Sequence, residues 1–574
     1  MAASSDSLRN HLVPADADGT ADSLHRWGAP RPWLALAAWA ACFAVAFAAN
    51  LRLSQTVGSN SDGASQVLQG WDMLHGNLLQ HGWITSDVPF FPTEVTEDAF
   101  IVLVHGLNSD AVHWGGAFTY TLIMLFAALL AMGRRGEATS RERLARAIIA
   151  AGIMIAPQLA AGPYTMLLSP DHTGTAVPVL VAWLIIDRAP RRWYAPVAVA
   201  IIVGCTGVAD LTALFTGALP LIGVCAYRVL RGKFSHGLPL AAQRYEIALA
   251  AAGAVAAVMA IEASRILTAI GSVTHAVPRT QFASVHTIIG SNLRVAGECL
   301  LILAGADFIG LHSPAQVALA LLHLVGAALC LAGILVAAWR FPRDADIICQ
   351  LLLIGVVLNL ATFVIGTHAE EITYAREMTN VLPFAAVLAG RLLTKRLLAA
   401  RLTPRKAPRI ALAPVLAVVL AGYLAGLAYE VHQPRVPAQN AAVVPFLKAH
   451  HLTSGLAGYW AANVITLDTA GQVAIRSLDR VGGKVAPSVK LVLPQWYDPR
   501  VASANFVVLY PGDPGPPPAV FSGFTGVVGF PYEKNVVATF GAPARTYHYR
   551  QFTILVWNKN LLADLHFPIE RAAG

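Results

Sequence analysis

AQVALALLHLVGAALCLAGILVAAWRFPRDAD, residues 315–346, holds 25 residues without a charge and then a basic loop. About 20 consecutive apolar residues carry a helix across the hydrocarbon of a bilayer. Arg and Lys collect in the short loops that stay in the cytoplasm. The stretch therefore reads as one membrane-spanning helix with its end marked. The whole chain repeats the pattern. It has 574 residues, is 56% hydrophobic and only 13% charged, and has a mean hydropathy of +0.56. A soluble chain of this size needs a far more charged surface.

Eleven spans are expected, near 32–50, 116–133, 146–163, 175–187, 194–209, 211–228, 246–265, 315–338, 347–366, 380–394 and 410–428. Threaded in that order, the basic loops at 133–147, 187–193, 227–244, 339–346 and 395–409 fall on the side of Arg26 and Arg31. The N-terminus is then cytoplasmic and the chain after the last span lies outside. The same clustering explains the net charge of +8 without a nucleic-acid partner. Residues 1–31 are expected to be a disordered cytoplasmic terminus, and 32–50 an uncleaved anchor. The stretch 266–314 is broken by Arg294, Glu298 and Asp307, and is expected to form helices lying on the interface. The six cysteines all sit in apolar runs with no CxxC pair, which suits buried thiols, not a disulfide framework or zinc.

The composition changes after Glu430. Turn-rich pieces alternate with the β-rich runs QVAIRSL, VKLVLP, NFVVLYPG and FTILVW, after a short helix in VVPFLKAHHL. The expected division is a terminus at 1–31, a membrane domain at 32–429 and an extracytoplasmic α/β domain at 430–574. Aromatics of that last domain, among them Tyr459, Trp460 and Trp496, either pack its core or stack on sugar rings.

The first outer loop, 51–115, is too long for a connector. Within it, 63–83 reads as an amphipathic helix, with Val67, Trp71, Leu74 and Leu78 on one stripe and Ser61 or Asp62 at the N-cap. An acid opening a first-loop helix that ends Trp71-Asp72-Met73-Leu74-His75-Gly76 resembles the GT-C glycosyltransferases, polytopic enzymes that use polyprenyl-phosphate sugars. Their pattern is Asp-Glu and then a helix ending Met-Leu-x-x-Gly; here Gly63 stands in place of the second acid, and one residue instead of two separates Leu74 from Gly76. Asp171, at the outer end of the fourth span, and Arg376 with Pro383, near a late span, resemble further marks of that family.

The resemblance implies a GT-C-like membrane fold and transfer of a sugar from a polyprenyl-phosphate donor to an envelope glycan, lipid or protein at a bacterial plasma membrane. Asp62 would take the acceptor's proton. Arg376, or Arg294 as a second choice, would clamp the donor phosphate. Asp171, His172, Glu370 and Glu371 would be auxiliary or acceptor-binding. No metal ligand set is assigned, although a divalent cation could assist. Glu94, Glu97 and Asp98, with His105 and His113, match no standard zinc spacing. Two other readings stay open: a transporter or flippase, and a non-enzymatic scaffold whose outer domain binds carbohydrate or a partner. Against transport, charge is nearly absent from mid-span positions; for a scaffold, Gly63 removes an acid.

Overall fold

The computed structural model describes residues 32–86, 88–159, 161–275, 281–309, 311, 313–343, 346–367, 369, 372–399, 401–402, 410–510 and 531–567. The expected disorder of 1–31 lies outside them. The chain divides into a unit ending at Val45 and a unit from Ala46 onward. Among the described residues, the first unit holds only the start of the first helix, and every later element lies in the second.

The helices are α1 (Pro32–Ser54), α2 (Ser61–Leu74), α3 (Glu94–His105), α4 (Asp110–Met132), α5 (Ser140–Ile153), α6 (Ala161–Met166), α7 (Ala176–Arg188) and α8 (Tyr194–Ala209). After these come α9 (Leu219–His236), α10 (Arg244–Ala269), α11 (Val285–Thr287), α12 (Leu293–Leu303), α13 (Pro314–Arg340), α14 (Ile347–Ile365), α15 (Val381–Ala399) and α16 (Leu412–Glu430). Among the described residues, six helices are long and apolar enough to cross a membrane: Leu36–Ser54, Asp110–Met132, Leu214–His236, Leu240–Ala269, Pro314–Arg340 and Ile347–Ile365. Two shorter apolar helices, Tyr194–Ala209 and Pro414–Glu430, add to them. This is a polytopic helical membrane protein.

The expected span at 146–163 is not one helix. α5 stops at Ile153 and α6 starts at Ala161. Pro157 lies between them, and a proline biases the residue before it away from helix. α15 also departs from a plain span. It is buried along Val381–Leu393, at the centre of a cluster that includes Tyr120, Trp183, Leu351 and Phe384. A helix enclosed by protein does not need an apolar outer face, so it can carry Arg391. The stretch 266–314 begins as the end of α10 and then forms a short strand, α11 and α12. Cys225, Cys299, Cys330 and Cys349 are buried free thiols.

Strand β1 (Trp83–Thr85) runs parallel to β2 (Val273–His275), tying the loop after α1 to the segment after α10. A small hairpin, β3 (Arg401–Leu402) with β4 (Ile410–Ala411), precedes α16. Beyond α16 come α17 (Val444–Ala449), α18 (Tyr459–Asp468) and α19 (Glu533–Phe540), with a six-stranded mixed sheet. Its strands are β5 (Ser454–Gly458), β6 (Ala474–Val481), β7 (Lys484–Pro487), β8 (Phe506–Leu509), β9 (Arg545–Tyr549) and β10 (Phe552–Val556), in the order β7-β6-β5-β8-β10-β9. β5 is parallel to β6 and β8, and the outer pairs are antiparallel. The expected strands in QVAIRSL, NFVVLYPG and FTILVW are β6, β8 and β10. VKLVLP does not join the sheet; its Val492 instead bridges Ile84 of β1.

Two further seams fasten this α/β region to the loop after α1. In the linker, Val436 N–H donates to Gln55 O at 2.9 Å and Gln439 N–H to Ser59 O at 3.0 Å. α18 packs against α2. Ser61 Oγ donates to Tyr459 O at 2.6 Å and Asn463 Nδ2 to Ser65 Oγ at 2.8 Å. The helix expected at 63–83 is therefore shorter, ending at Leu74 where the chain turns through Gly76 (φ 103°). It is buried from Ser61 to Gly70, so it does not rest on a membrane surface by one stripe.

Candidate active site

α2 begins at Ser61, two residues before the start expected from its sequence pattern. The N-cap is Asn60, whose Oδ1 accepts from Gly63 N–H at 3.0 Å. That corrects the expected caps Ser61 and Asp62. An aspartate bound up in capping would have one oxygen turned back on its own helix. With Asn60 in that place, both oxygens of Asp62 face other elements.

Asp62 is 4% exposed. Its Oδ1 accepts from Tyr459 Oη at 2.5 Å and from Lys490 Nζ at 3.0 Å. Its Oδ2 accepts from Nη1 and Nη2 of Arg376, both at 3.3 Å. Arg376 Nη1 also donates to Asp171 Oδ2 at 3.1 Å. One guanidinium thus joins an acid at the start of α2 to an acid in the turn after α6. The site gathers residues from the segments between membrane helices and from the α/β region.

The electrostatics are unequal. Burial pushes the Asp62 carboxyl up, but the charges of Lys490 and Arg376 and the bonds from Tyr459 and Lys490 outweigh it, holding it well below the usual carboxylate range. Asp171 is pushed up by burial, because its pull from the shared Arg376 is smaller and Asp62 repels it. The Tyr459 hydroxyl is pushed up by burial and by the Asp62 charge, so it stays a donor.

Neighbouring groups fix the two acids. Arg376 lies in the 3₁₀ segment Ile372–Met378; Thr379 Oγ1 donates to its carbonyl at 2.9 Å, and Asn359 Nδ2 to Glu377 O at 2.9 Å. Beside Asp171, buried His172 meets Asp210 Oδ2 through Nδ1 at 3.0 Å, and its ring stands edge-on to Phe90 at 5.0 Å. Thr175 Oγ1 and Thr212 N–H also donate to Asp210, at 2.7 and 2.8 Å. His172 and Asp210 therefore brace the Asp171 turn. Asn60 Nδ2 donates to Tyr164 Oη of α6 at 3.2 Å, adding a further wall.

The structure brings together Asp62, Asp171 and Arg376, with His172 next in line. Arg294 is elsewhere: its side chain is 73% exposed and pairs with Glu298 at 3.7 Å, one turn along α12. A long side chain on an exposed helix face reaches its i+4 neighbour first. Glu370 and Glu371 lie outside the described residues. Lys490 was not expected at the site, and Tyr459 was expected only to pack the core or stack on a sugar ring, not to bond Asp62. They stand 428 and 397 residues from Asp62, and no local pattern marks such a contact.

Glu94 and Asp98 are buried along α3, and Glu97 is half-buried with Thr119 Oγ1 donating to its Oε1 at 2.6 Å. His113 Nδ1 bonds Ser54 Oγ at 2.9 Å, and the His105 ring stacks on Trp114 at 4.8 Å. Among the described residues, no group of three His, Cys, Asp or Glu side chains is placed to hold a metal ion. Asp62 and Asp171 already neutralise Arg376 and Lys490, so the donor set does not suit a divalent cation. Most aromatics of the α/β region serve packing: Trp496 meets Trp83 at 5.2 Å, and Phe446 meets Tyr547 and Tyr549. Tyr459 and Trp460 are at the site.

No protein-family model and no curated protein matches the chain. Solved structures do. ArnT from Cupriavidus metallidurans, bound to undecaprenyl phosphate, superposes with a TM-score of 0.50 at 12% identity, over 92% of this chain and 98% of that one. The chain has a GT-C fold. A looser likeness, TM-score 0.43 at 14% identity, links it to the apo oligosaccharyltransferase of Archaeoglobus fulgidus, over 84% of this chain and 70% of that one. The GT-C fold accounts for the pairing of a helical membrane region with a C-terminal α/β region.

Proposed function

We propose that this protein is an integral-membrane glycosyltransferase that moves a sugar from a polyprenyl-phosphate donor to an acceptor hydroxyl outside the cytoplasmic membrane of a bacterium. The observation that carries the reading is the Asp62–Arg376–Asp171 bridge, a buried acid and a bidentate cation at the loop end of a GT-C fold. The solved ArnT is bound to undecaprenyl phosphate, which supports a donor of that class. The basic loops favour a cytoplasmic N-terminus, which puts the Asp62 end outside.

Arg376 is the phosphate clamp, because a guanidinium matches phosphate geometry as well as carboxylate geometry. A donor phosphate draws Arg376 from Asp62 Oδ2 and raises the basicity of that carboxylate. Asp62 then takes the proton of the acceptor hydroxyl. The hydroxyl oxygen forms the new bond to the anomeric carbon, and polyprenyl phosphate leaves with the electrons of the old C–O bond. Asp171 keeps Arg376 in reach by holding its second face, and His172 with Asp210 keeps Asp171 in place.

The test is transfer in membranes supplied with labelled polyprenyl-phosphate sugars. Asp62→Asn should lower transfer by about 10² to 10⁴, the usual worth of a general base. Arg376→Lys should raise the donor KM, since one ammonium cannot replace a fork. Unchanged transfer by Asp62→Asn removes Asp62 as the base. Donor lipid that crosses the bilayer without losing its sugar would favour a flippase instead.

A further inference from the structure

Lys490 is held with unusual care for a surface lysine. The next residue, Leu491, has φ 53°, a left-handed conformation that side-chain-bearing residues seldom adopt. Such strain persists only where surroundings impose it. Here Asn463 Nδ2 donates to Leu491 O at 3.2 Å and to Ser65 Oγ of α2 at 2.8 Å. Val492 exchanges bonds with Ile84, at 2.9 and 3.1 Å. The lysine is therefore pinned from both the α/β region and the first loop.

Of the two cations on Asp62, Lys490 is the more open to water, its side chain 34% exposed against 26% for Arg376. The Asp62 side chain is 6% exposed. Nζ lies 4.7 Å from the ring centroid of Tyr459 and 5.7 Å from that of half-buried Trp460. Lys490 and Trp460 are thus partly open to water where Asp62 is closed off from it. A cation beside an aromatic face suits a sugar that carries a negative charge.

We propose that Lys490 selects the acceptor: it keeps Asp62 ion-paired at rest and moves to an anionic group, phosphate or carboxylate, beside the accepting hydroxyl of a sugar stacked on Trp460. This rests on the transferase reading above. The lysine stem is flexible, so its ammonium shifts a few ångströms at little cost. Exchanging one anion for another leaves it paired, whereas a neutral acceptor would have to strip it bare. Asp479 also faces Lys490, and burial pushes its carboxyl up, which makes it a poor rival. After the exchange Asp62 Oδ1 keeps only the Tyr459 hydroxyl. The proton of the accepting hydroxyl passes to Oδ1 as its oxygen bonds the anomeric carbon and polyprenyl phosphate leaves with the electrons of the old C–O bond.

Binding and turnover test it separately, with the full chain in lipid nanodiscs. Glucose 6-phosphate and glucuronate are titrated against glucose while thermal unfolding is followed; the first two separate a phosphate from a carboxylate preference. At least one anionic sugar should stabilise the protein and glucose should not. Lys490→Gln should weaken that binding about tenfold or more, the usual worth of a bond to a charged group, and Lys490→Arg should restore much of it. With labelled polyprenyl-phosphate sugar and no acceptor, Lys490→Gln should also hydrolyse the donor faster than wild type, because Asp62 has lost its latch. A merely structural lysine would slow it. Equal binding of glucose, equal binding by Lys490→Gln, or no binding of any of the three sugars overturns the proposal. Lys490-dependent binding with no donor turnover by the wild type would sink the transferase reading and leave the anion site standing.

Discussion

At position 63 an added Cβ would lie 2.6 Å from Val112 Cγ1 and 3.1 Å from Ser169 Cβ. The start of α2 is pressed against α4 and the turn before Asp171, so a side chain there must move a neighbour. The missing second acid is thus a packing consequence. Gly63→Ala should destabilise by about 1 to 3 kcal/mol, as overpacked cores do. Gly63→Glu should lower the folded yield without raising transfer. Thermal unfolding of the purified variants, with transfer assayed in parallel, checks both. Asp62, Asp171 and Arg376 were legible in the sequence because each opens or closes a recognisable run. Lys490 and Tyr459 were not, since their role depends on how one region lies on another. Arg294 misled for a related reason: a basic residue in a polar-interrupted helix looks the same whether it faces a site or water.

Among the elements, α15 carries a buried, paired cation. Arg391 donates to Asp187 Oδ1 of α7 at 2.8 Å, to Asp346 Oδ2 before α14 at 2.7 Å and, through Nε, to Leu130 O of α4 at 2.8 Å. Arg391→Met would leave buried Asp187 with only the longer contacts to Arg188 (3.6 Å) and Arg134 (3.9 Å). A loss of about 3 kcal/mol is expected, typical of breaking a buried pair by removing one partner. The double variant Arg391→Met with Asp187→Asn should recover part of it, and the unfolding midpoints of the single and double variants check the pairing. Long apolar runs such as α13 and α14 announce themselves by length. α15 reads as a shorter run because the bundle shelters its charge. β5, in SGLAG, looks like a turn; only its two parallel neighbours make it a strand.

For the whole molecule, the acids of α3 couple stability to pH. Burial pushes the Glu94 carboxyl up to about 8, with Asp210 adding to the shift. Glu97 is pushed up to about 7 by burial. Below its ordinary value of 4.5, Glu94 is protonated whether the chain is folded or not. Between there and about 8 the folded chain keeps the proton and the unfolded chain loses it. Stability therefore falls as pH rises through that window, by up to about 1.4 kcal/mol per unit from this group, and levels off above it. Glu94→Gln should flatten the fall, an outcome read as the difference between variant and wild-type unfolding midpoints across the window.

Asp62 is made early and its partners late. Lys490 follows it by 428 residues. At a synthesis rate of 5 to 20 residues per second, that delay is about 20 to 90 seconds. Until Tyr459 is made, 397 residues on, the growing chain carries an acid whose Oδ1 has neither partner, and Lys490 comes later still. A ribosome that stalls before the α/β region leaves a complete set of membrane helices with an unfinished centre.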